Sequence, residues 1–181
     1  MANGRFIGFS IAAAALAGCG ASKPHPGRPG PPVRIAEFDS RGEPLGVRST
    51  PRLVKTDAEW KADLASRAYS VLRRAGTEMA FSGEYWRTTG ARGMYRCAAC
   101  GTALFDSRHK FDSGTGWPSF SQPIAKENIV TAVDSVLGME RTEVRCRRCD
   151  GHLGHVFEDG PPPAGLRYCM NSAALKFEDV E

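Results

Sequence analysis

Apolar positions change their spacing along this chain, and each change marks a different kind of segment. Residues 6–17 form an almost unbroken apolar run behind Arg5, closed by Leu16-Ala17-Gly18-Cys19. A basic residue, a short apolar core and small residues at the end describe a secretory signal. The run of about a dozen residues falls short of the roughly 20 that a spanning helix needs. From residue 21 to about 51 the pattern dissolves into Lys23-Pro24-His25-Pro26-Gly27-Arg28-Pro29-Gly30-Pro31-Pro32 and mixed polar residues. Proline has no amide to donate to a ladder, so this stretch predicts an extended, solvated tether with His25 inert within it.

Order is predicted to start near Leu53. Thr56-Asp57-Ala58-Glu59-Trp60 has the form of a helix start, a capping residue followed by an acidic first turn. Trp60, Leu64, Ala68 and Val71 or Leu72 recur at helical spacing, which predicts one core-facing helix ended by Gly76. Phe81-Ser82-Gly83-Glu84-Tyr85-Trp86 follows as an aromatic-rich turn. Beyond residue 93 the pattern shortens to strands punctuated by glycine and proline, at 93–96, 103–105, 129–134, 139–145, 155–157, 167–171 and 174–177. No ten-residue helices alternate with them, which disfavours a doubly wound parallel sheet. The expected fold is mainly β, with antiparallel sheets and a helical N-terminal flank. The expected division is a signal peptide at 1–18, a tether at 19–52 and a folded domain at 53–181.

Composition refines this only slightly. Of 181 residues 41% are hydrophobic, enough for a packed core. The net charge of +4 arises from 24 basic and 20 acidic residues that are interspersed. Without a concentrated basic face, and with an export signal, no nucleic-acid partner is expected. A monomer is expected.

The six cysteines change the picture more. Cys97-Ala98-Ala99-Cys100-Gly101 and Cys146-Arg147-Arg148-Cys149-Asp150-Gly151 are two knuckles, while Cys19 and Cys169 stand apart. Each knuckle turns two sulfurs to one side, and the following glycine permits the turn's backbone angles. Four thiolates would close a tetrahedral shell around a structural zinc ion. Disulfides, favoured by an oxidising compartment, and dithiol redox pairs are the alternatives. Neither pair precedes a convincing helix, which weighs against the redox form.

Three further segments are dense in reactive and aromatic residues: 111–120, 150–160 and 165–172. Cys169 lies there among basic and aromatic residues, and a thiol becomes nucleophilic where positive charge or donors stabilise its thiolate. Arg167, His152 and His155 can supply these if the strands converge. His152 and His155, flanked by glycines, suit a tight loop rather than a helix face. From the residues alone a lone cysteine such as Cys169 is more often simple core than catalyst, and Trp117 is equally a core residue.

The motifs Gly116-Trp117-Pro118-Ser119-Phe120, His152-Leu153-Gly154-His155-Val156-Phe157 and Arg167-Tyr168-Cys169-Met170-Asn171-Ser172-Ala173-Ala174-Leu175 resemble the methionine-R-sulfoxide reductase B family. The resemblance covers about residues 53–177, and the knuckles resemble that family's zinc-bearing branch. It implies a β-tent fold and the repair of methionine-R-sulfoxide in oxidised proteins. Cys169 is implied as nucleophile, with His152 and His155 binding and protonating the sulfoxide oxygen. Asn171 is implied to orient the site, and Trp117 to receive the substrate methyl group. Arg167 and Asp159 are implied to tune the thiolate and the histidine segment. Cys97, Cys100, Cys146 and Cys149 are implied to hold Zn2+. Many members carry a second, resolving cysteine two residues before the tryptophan; here that residue is Thr115. A hydroxyl cannot trap a sulfenic acid as a disulfide, so an external thioredoxin- or glutaredoxin-like thiol reductant is expected. The ending Leu16-Ala17-Gly18-Cys19 resembles the bacterial lipobox, implying a lipidated Cys19 and a membrane anchor on the periplasmic face. The absence of an aspartate beside that cysteine resembles sorting to the outer membrane.

Overall fold

The computed structural model describes Met1 and residues 25–87, 90–135 and 140–180. Cys19 and the expected signal peptide beyond Met1 lie outside the described residues, as does Met139 in the strand expected over 139–145. Among the described residues no helix is long and apolar enough to cross a membrane.

The chain runs β1 (Arg28–Phe38), β2 (Pro44–Val54), α1 (Asp57–Asp63), α2 (Ser66–Arg74), β3 (Gly93–Cys97), β4 (Ala103–Asp106), β5 (Lys110–Phe111), β6 (Ser119–Phe120), β7 (Ile129–Asp134), β8 (Arg141–Cys146), β9 (His152–Phe157), β10 (Arg167–Met170) and β11 (Leu175–Asp179). Pairing is antiparallel throughout. A six-stranded sheet has the order β5-β6-β10-β9-β8-β7, a three-stranded sheet the order β11-β3-β4, and β1 pairs with β2 alone. Between the larger sheets lies an apolar core in which Phe105 stacks on Phe120 at 4.4 Å and Tyr95 meets Phe120 at 5.0 Å. Val144, Leu153 and Met170 are completely buried there, and α2 adds Val71 and Leu72. Mainly antiparallel β-structure with a helical flank is thus the observed class. All seven expected strands are present, with ends shifted by a few residues.

The helical segment starts as its sequence predicts. Thr56 Oγ1 accepts from the Glu59 N–H, and the Glu59 carboxylate accepts from the Thr56 N–H at 2.6 Å, a reciprocal capping box. The single helix expected from the spacing is instead two. Leu64 and Ala65 adopt extended backbone angles, and the break turns α2 against the core. Apolar spacing continues across such a break, so periodicity alone does not reveal it.

The tether expected over 19–52 is corrected more deeply, because β1 and β2 pair into a two-stranded ribbon ahead of Leu53 rather than a solvated coil. Pro29, Pro31 and Pro32 exclude a central strand, but each strand of a two-stranded ribbon has an open edge where proline loses nothing. A shift in register between Pro29 and Pro32 absorbs the crowding. The turn is closed by the Asp39 carboxylate, which accepts the Arg41 and Glu43 N–H groups at 2.9 Å. Asn128, fully buried, docks the ribbon by a two-way bond to Ala36. Its Oδ1 accepts the Ala36 N–H at 2.8 Å and its Nδ2 donates to the Ala36 carbonyl at 2.9 Å. The Leu53 N–H donates to the Arg148 carbonyl at 2.9 Å. His25 is not inert either, since its ring and N–H both hold the Asp63 carboxylate.

Candidate active site

The six-stranded sheet places the reactive residues in one cross-strand row. On β10 Cys169 lies opposite His155 of β9 on one side and Ser119 of β6 on the other. His155 in turn lies opposite Glu143 of β8. Directly opposed residues of antiparallel strands share a face, so this register brings the four together. His152 is three residues before His155 and would face the other way on a regular strand. A register shift between β8 residues Val144 and Arg145 corrects this, and the two imidazole rings meet at 5.3 Å. Gly154 lies between the two histidines with φ +155°, and a Cβ there would sit 2.1 Å from the Cys169 carbonyl oxygen. Only glycine fits that approach. Both histidines therefore stand on a bulged strand rather than in the expected loop.

Carboxylates fix both rings. His152 Nδ1 is 2.7 Å from Glu143 Oε1, and His155 Nε2 is 2.8 Å from Asp134 Oδ2, which Arg141 also holds at 2.7 Å. An ionised carboxylate only accepts, so Nδ1 of His152 and Nε2 of His155 carry protons. His152 Nε2 is left buried with no hydrogen-bond partner among the described residues. A buried imidazole nitrogen in that state needs a ligand or water to satisfy it. Burial holds the His155 pKa below the ordinary imidazole value; Asp134 works against that shift, and Arg141 and His152 add to it.

Cys169 is partly buried, and burial pushes its thiol pKa up. The Arg167 charge and hydrogen bonds from Thr115 and Arg167 oppose that shift by favouring the thiolate. Arg167 is oriented for this by a fork to Asp159, with bonds of 2.8 and 2.7 Å, and by stacking 4.6 Å above the Phe157 ring. Thr115 is held by Ser113, whose hydroxyl lies 2.8 Å from those of both Thr115 and Ser119. Met170, next along the strand, faces the opposite way into the core.

Trp117 runs beside β10, because the Pro118 carbonyl accepts the Met170 N–H at 2.9 Å. Its indole Nε1 donates to the Glu78 carbonyl at 3.0 Å. Asn171 uses both ends of its amide on main chain: Oδ1 accepts from the Glu78 N–H and Nδ2 donates to the Leu153 carbonyl at 3.1 Å. Cys169, His155, His152 and Arg167 thus gather on the neighbouring strands β9 and β10, and Glu78 ties Trp117 to Asn171 at the end of β10. Glu143, Asp134 and Glu78 were not predicted. Glu143 and Asp134 sit on strands with no motif around them, and only the register reveals what they face.

The knuckles meet at the turn between β8 and β9, which the second knuckle forms. Cys97 ends β3 and Cys146 ends β8, so the cluster joins the two larger sheets. In the first knuckle Gly101 has φ +73°, as its sequence suggests, but in the second Asp150 takes that conformation at φ +59°. Gly151 is required there for packing instead, since a Cβ would sit 2.8 Å from Leu72. The four sulfurs lie within 4.8 Å of one another, with Cys97–Cys149 at 3.6 Å and Cys100–Cys146 at 3.5 Å. Four sulfurs at the zinc bonding distance of about 2.3 Å would stand about 3.8 Å apart, so the donor set fits a tetrahedral zinc ion. None of the five described cysteines is in a disulfide. Cys97, Cys100, Cys146 and Cys149 would close the shell, and the ion would supply cross-linking rather than an open coordination position.

Comparison with known proteins agrees with this geometry. The family described as SelR domain matches residues 64–179. A protein of Thiobacillus denitrificans is 58% identical over 123 residues, covering 68% of this chain and 92% of that protein. One of Agrobacterium fabrum is 51% identical over 132 residues, covering 73% of this chain and 97% of its own length. One of Leptospira interrogans is 54% identical over 124 residues, covering 68% and 94%. Each is named peptide methionine sulfoxide reductase MsrB. The β1–β2 ribbon precedes the matched SelR region.

Proposed function

This chain belongs to the SelR-domain family of MsrB peptide methionine sulfoxide reductases, and from that premise we propose that it reduces the R epimer of methionine sulfoxide in oxidised proteins, with Cys169 as nucleophile. The observation that carries the reading is the row in which Cys169 opposes His155, with His152 beside it and Arg167 and Thr115 at the sulfur.

In the proposed reaction the Cys169 thiolate attacks the sulfoxide sulfur, and His152 and His155 bind and protonate its oxygen. The oxygen passes from the methionine sulfur to the cysteine sulfur. Methionine is released reduced by two electrons, and Cys169 becomes a sulfenic acid. The buried, unpartnered His152 Nε2 supports an oxygen-binding role, and the Asp134 carboxylate behind His155 favours that ring's protonated form, against the effect of burial. The Trp117 face takes the substrate methyl group, an apolar contact that rejects the misoriented epimer.

Recovery comes from outside the chain. Thr115 occupies the place beside Cys169 where a resolving cysteine would sit, so a first external thiol attacks the sulfenic acid and releases water. A second thiol then restores Cys169 and leaves as a disulfide with the first. A thioredoxin- or glutaredoxin-like protein suits this role. We further propose that Zn2+ fills the four-cysteine site, and that a lipidated Cys19 holds the enzyme on the periplasmic face of a bacterial membrane. The test is a chiral assay on both epimers beside Cys169→Ser. Turnover of the R epimer alone, abolished in the variant, is expected; turnover of the S epimer or an active variant would overturn the reading.

A further inference from the structure

Glu78 lies in the segment between α2 and β3, buried to 7% exposure. Its polar groups go to separate parts of the site. The main-chain N–H donates to Asn171 Oδ1 at 3.0 Å, and the main-chain carbonyl accepts the Trp117 indole N–H at 3.0 Å. The carboxylate accepts the N–H groups of Ser172 and, at 3.2 Å, Ala173. These amides belong to the short 3-10 turn that follows β10. The surrounding loop is closed tightly over them, because a Cβ at Gly83 would lie 2.2 Å from Ser172 Oγ and 2.5 Å from the Glu78 carboxylate. A buried carboxylate is costly unless its oxygens are bonded, and here they are bonded to the first two main-chain amides after Asn171.

We propose that Glu78 is a positioning residue of the reductase site: its carboxylate anchors the chain just after Cys169-Met170-Asn171, and its main chain thereby holds the Trp117 indole and the Asn171 amide in one arrangement against β10. This rests on the sulfoxide-reductase reading of the site. Without the carboxylate anchor, residue 78 can drift from β10 and carry Trp117 and Asn171 with it. Misplacement by about 1 Å is enough to lower a rate by about 100-fold.

The test uses Glu78→Ala and Glu78→Gln in the full chain. Glu78→Ala is expected to lower kcat/KM for the R-sulfoxide by about 10–100-fold, with a raised KM because Trp117 meets the substrate. Glu78→Gln keeps one acceptor oxygen and should fall in between. The pH dependence of Cys169 alkylation should stay unchanged, since Arg167 and Thr115 are untouched. Hydrogen exchange of the Trp117 indole N–H, assigned with Trp117→Phe, should quicken in Glu78→Ala and less so in Glu78→Gln. That exchange needs no turnover, so it decides the positioning role even if the parent chain were to reduce no sulfoxide, a result that would sink the functional reading separately. Folded variants with unchanged exchange and unchanged kcat/KM would overturn the proposal. So would an activity loss accompanied by a shifted alkylation profile and unchanged exchange. If Glu78→Ala does not fold, Glu78→Gln decides by the same criteria.

Discussion

Replacing Asn128 by alanine tests whether the β1–β2 ribbon is an integral part of the domain. Asn128 is fully buried and makes three main-chain hydrogen bonds, to the N–H and carbonyl of Ala36 and, at 2.8 Å, to the carbonyl of Ala103. Stranding a buried polar group costs about 1–3 kcal/mol, so three would cost about 3–9 kcal/mol if the ribbon stayed in place. The ribbon has an alternative, which is to lift away and let water satisfy Ala36. Lifting forfeits the burial of Ile35, worth about 1.5–3 kcal/mol, and the Leu53–Arg148 bond, worth about 1 kcal/mol. The exposed Arg52–Asp150 pair adds about 0–1 kcal/mol. The cheaper route sets the measured loss at about 2.5–5 kcal/mol. Urea unfolding reads the total, and native-state hydrogen exchange at the Ala36 amide reads the route. A detached ribbon exchanges at Ala36 while the amides of β9 and β10 remain protected. Stability within about 0.5 kcal/mol of the parent, with the Ala36 amide still protected, would refute the docking argument.

Three further outcomes follow from the site. Thr115→Val removes a donor to the thiolate, so alkylation of Cys169 should slow several-fold near neutral pH. Because the loss acts only on the charged form, the difference should close above the thiol pKa; equal rates at all pH would show that Thr115 does not bond the sulfur. The dependence of kcat/KM on pH should be a broad plateau. Burial raises the Cys169 pKa and lowers that of His155, so thiolate with imidazolium is a minor, constant fraction of the singly protonated pair between the two values. Activity should therefore rise through a value below the ordinary imidazole range and fall only above the raised thiol value; a rise through the ordinary thiol range without a plateau would contradict this. Finally, the chain should bind one zinc ion, and Cys97→Ser or metal removal should unfold it, since structural zinc supplies about 10–16 kcal/mol against a total stability of about 5–15 kcal/mol. A metal-free chain with an unchanged melting temperature would contradict that.

The parts of this molecule that are legible in the sequence are those whose cause is local. The capping box at Thr56, the strands between glycine and proline breaks, and the knuckle spacing each follow from neighbouring residues. The gathering of His152, His155 and Cys169 was expected from motifs, though not the register that achieves it. What stayed hidden depends on distant partners. The ribbon is ordered by Asn128, which lies 92 residues from Ala36, so its prolines suggested a tether. His152 and His155 share a face because of a bulge, which three-residue spacing does not predict. In the second knuckle Asp150 rather than Gly151 adopts the left-handed backbone, because packing against Leu72 claims the glycine. Glu78 contributes largely through its main chain, a role that residue identity does not announce.

The central claim is that Cys169 takes the oxygen and has no partner in its own chain. A single turnover with R-methionine sulfoxide in peptide form, without reductant and followed by mass analysis of the intact protein, tests it most directly. The account predicts one methionine per chain and one added oxygen on Cys169, captured by a sulfenic-acid trap and removed by added thiol. An intramolecular disulfide at Cys169, or methionine formed with Cys169 unchanged, would contradict it.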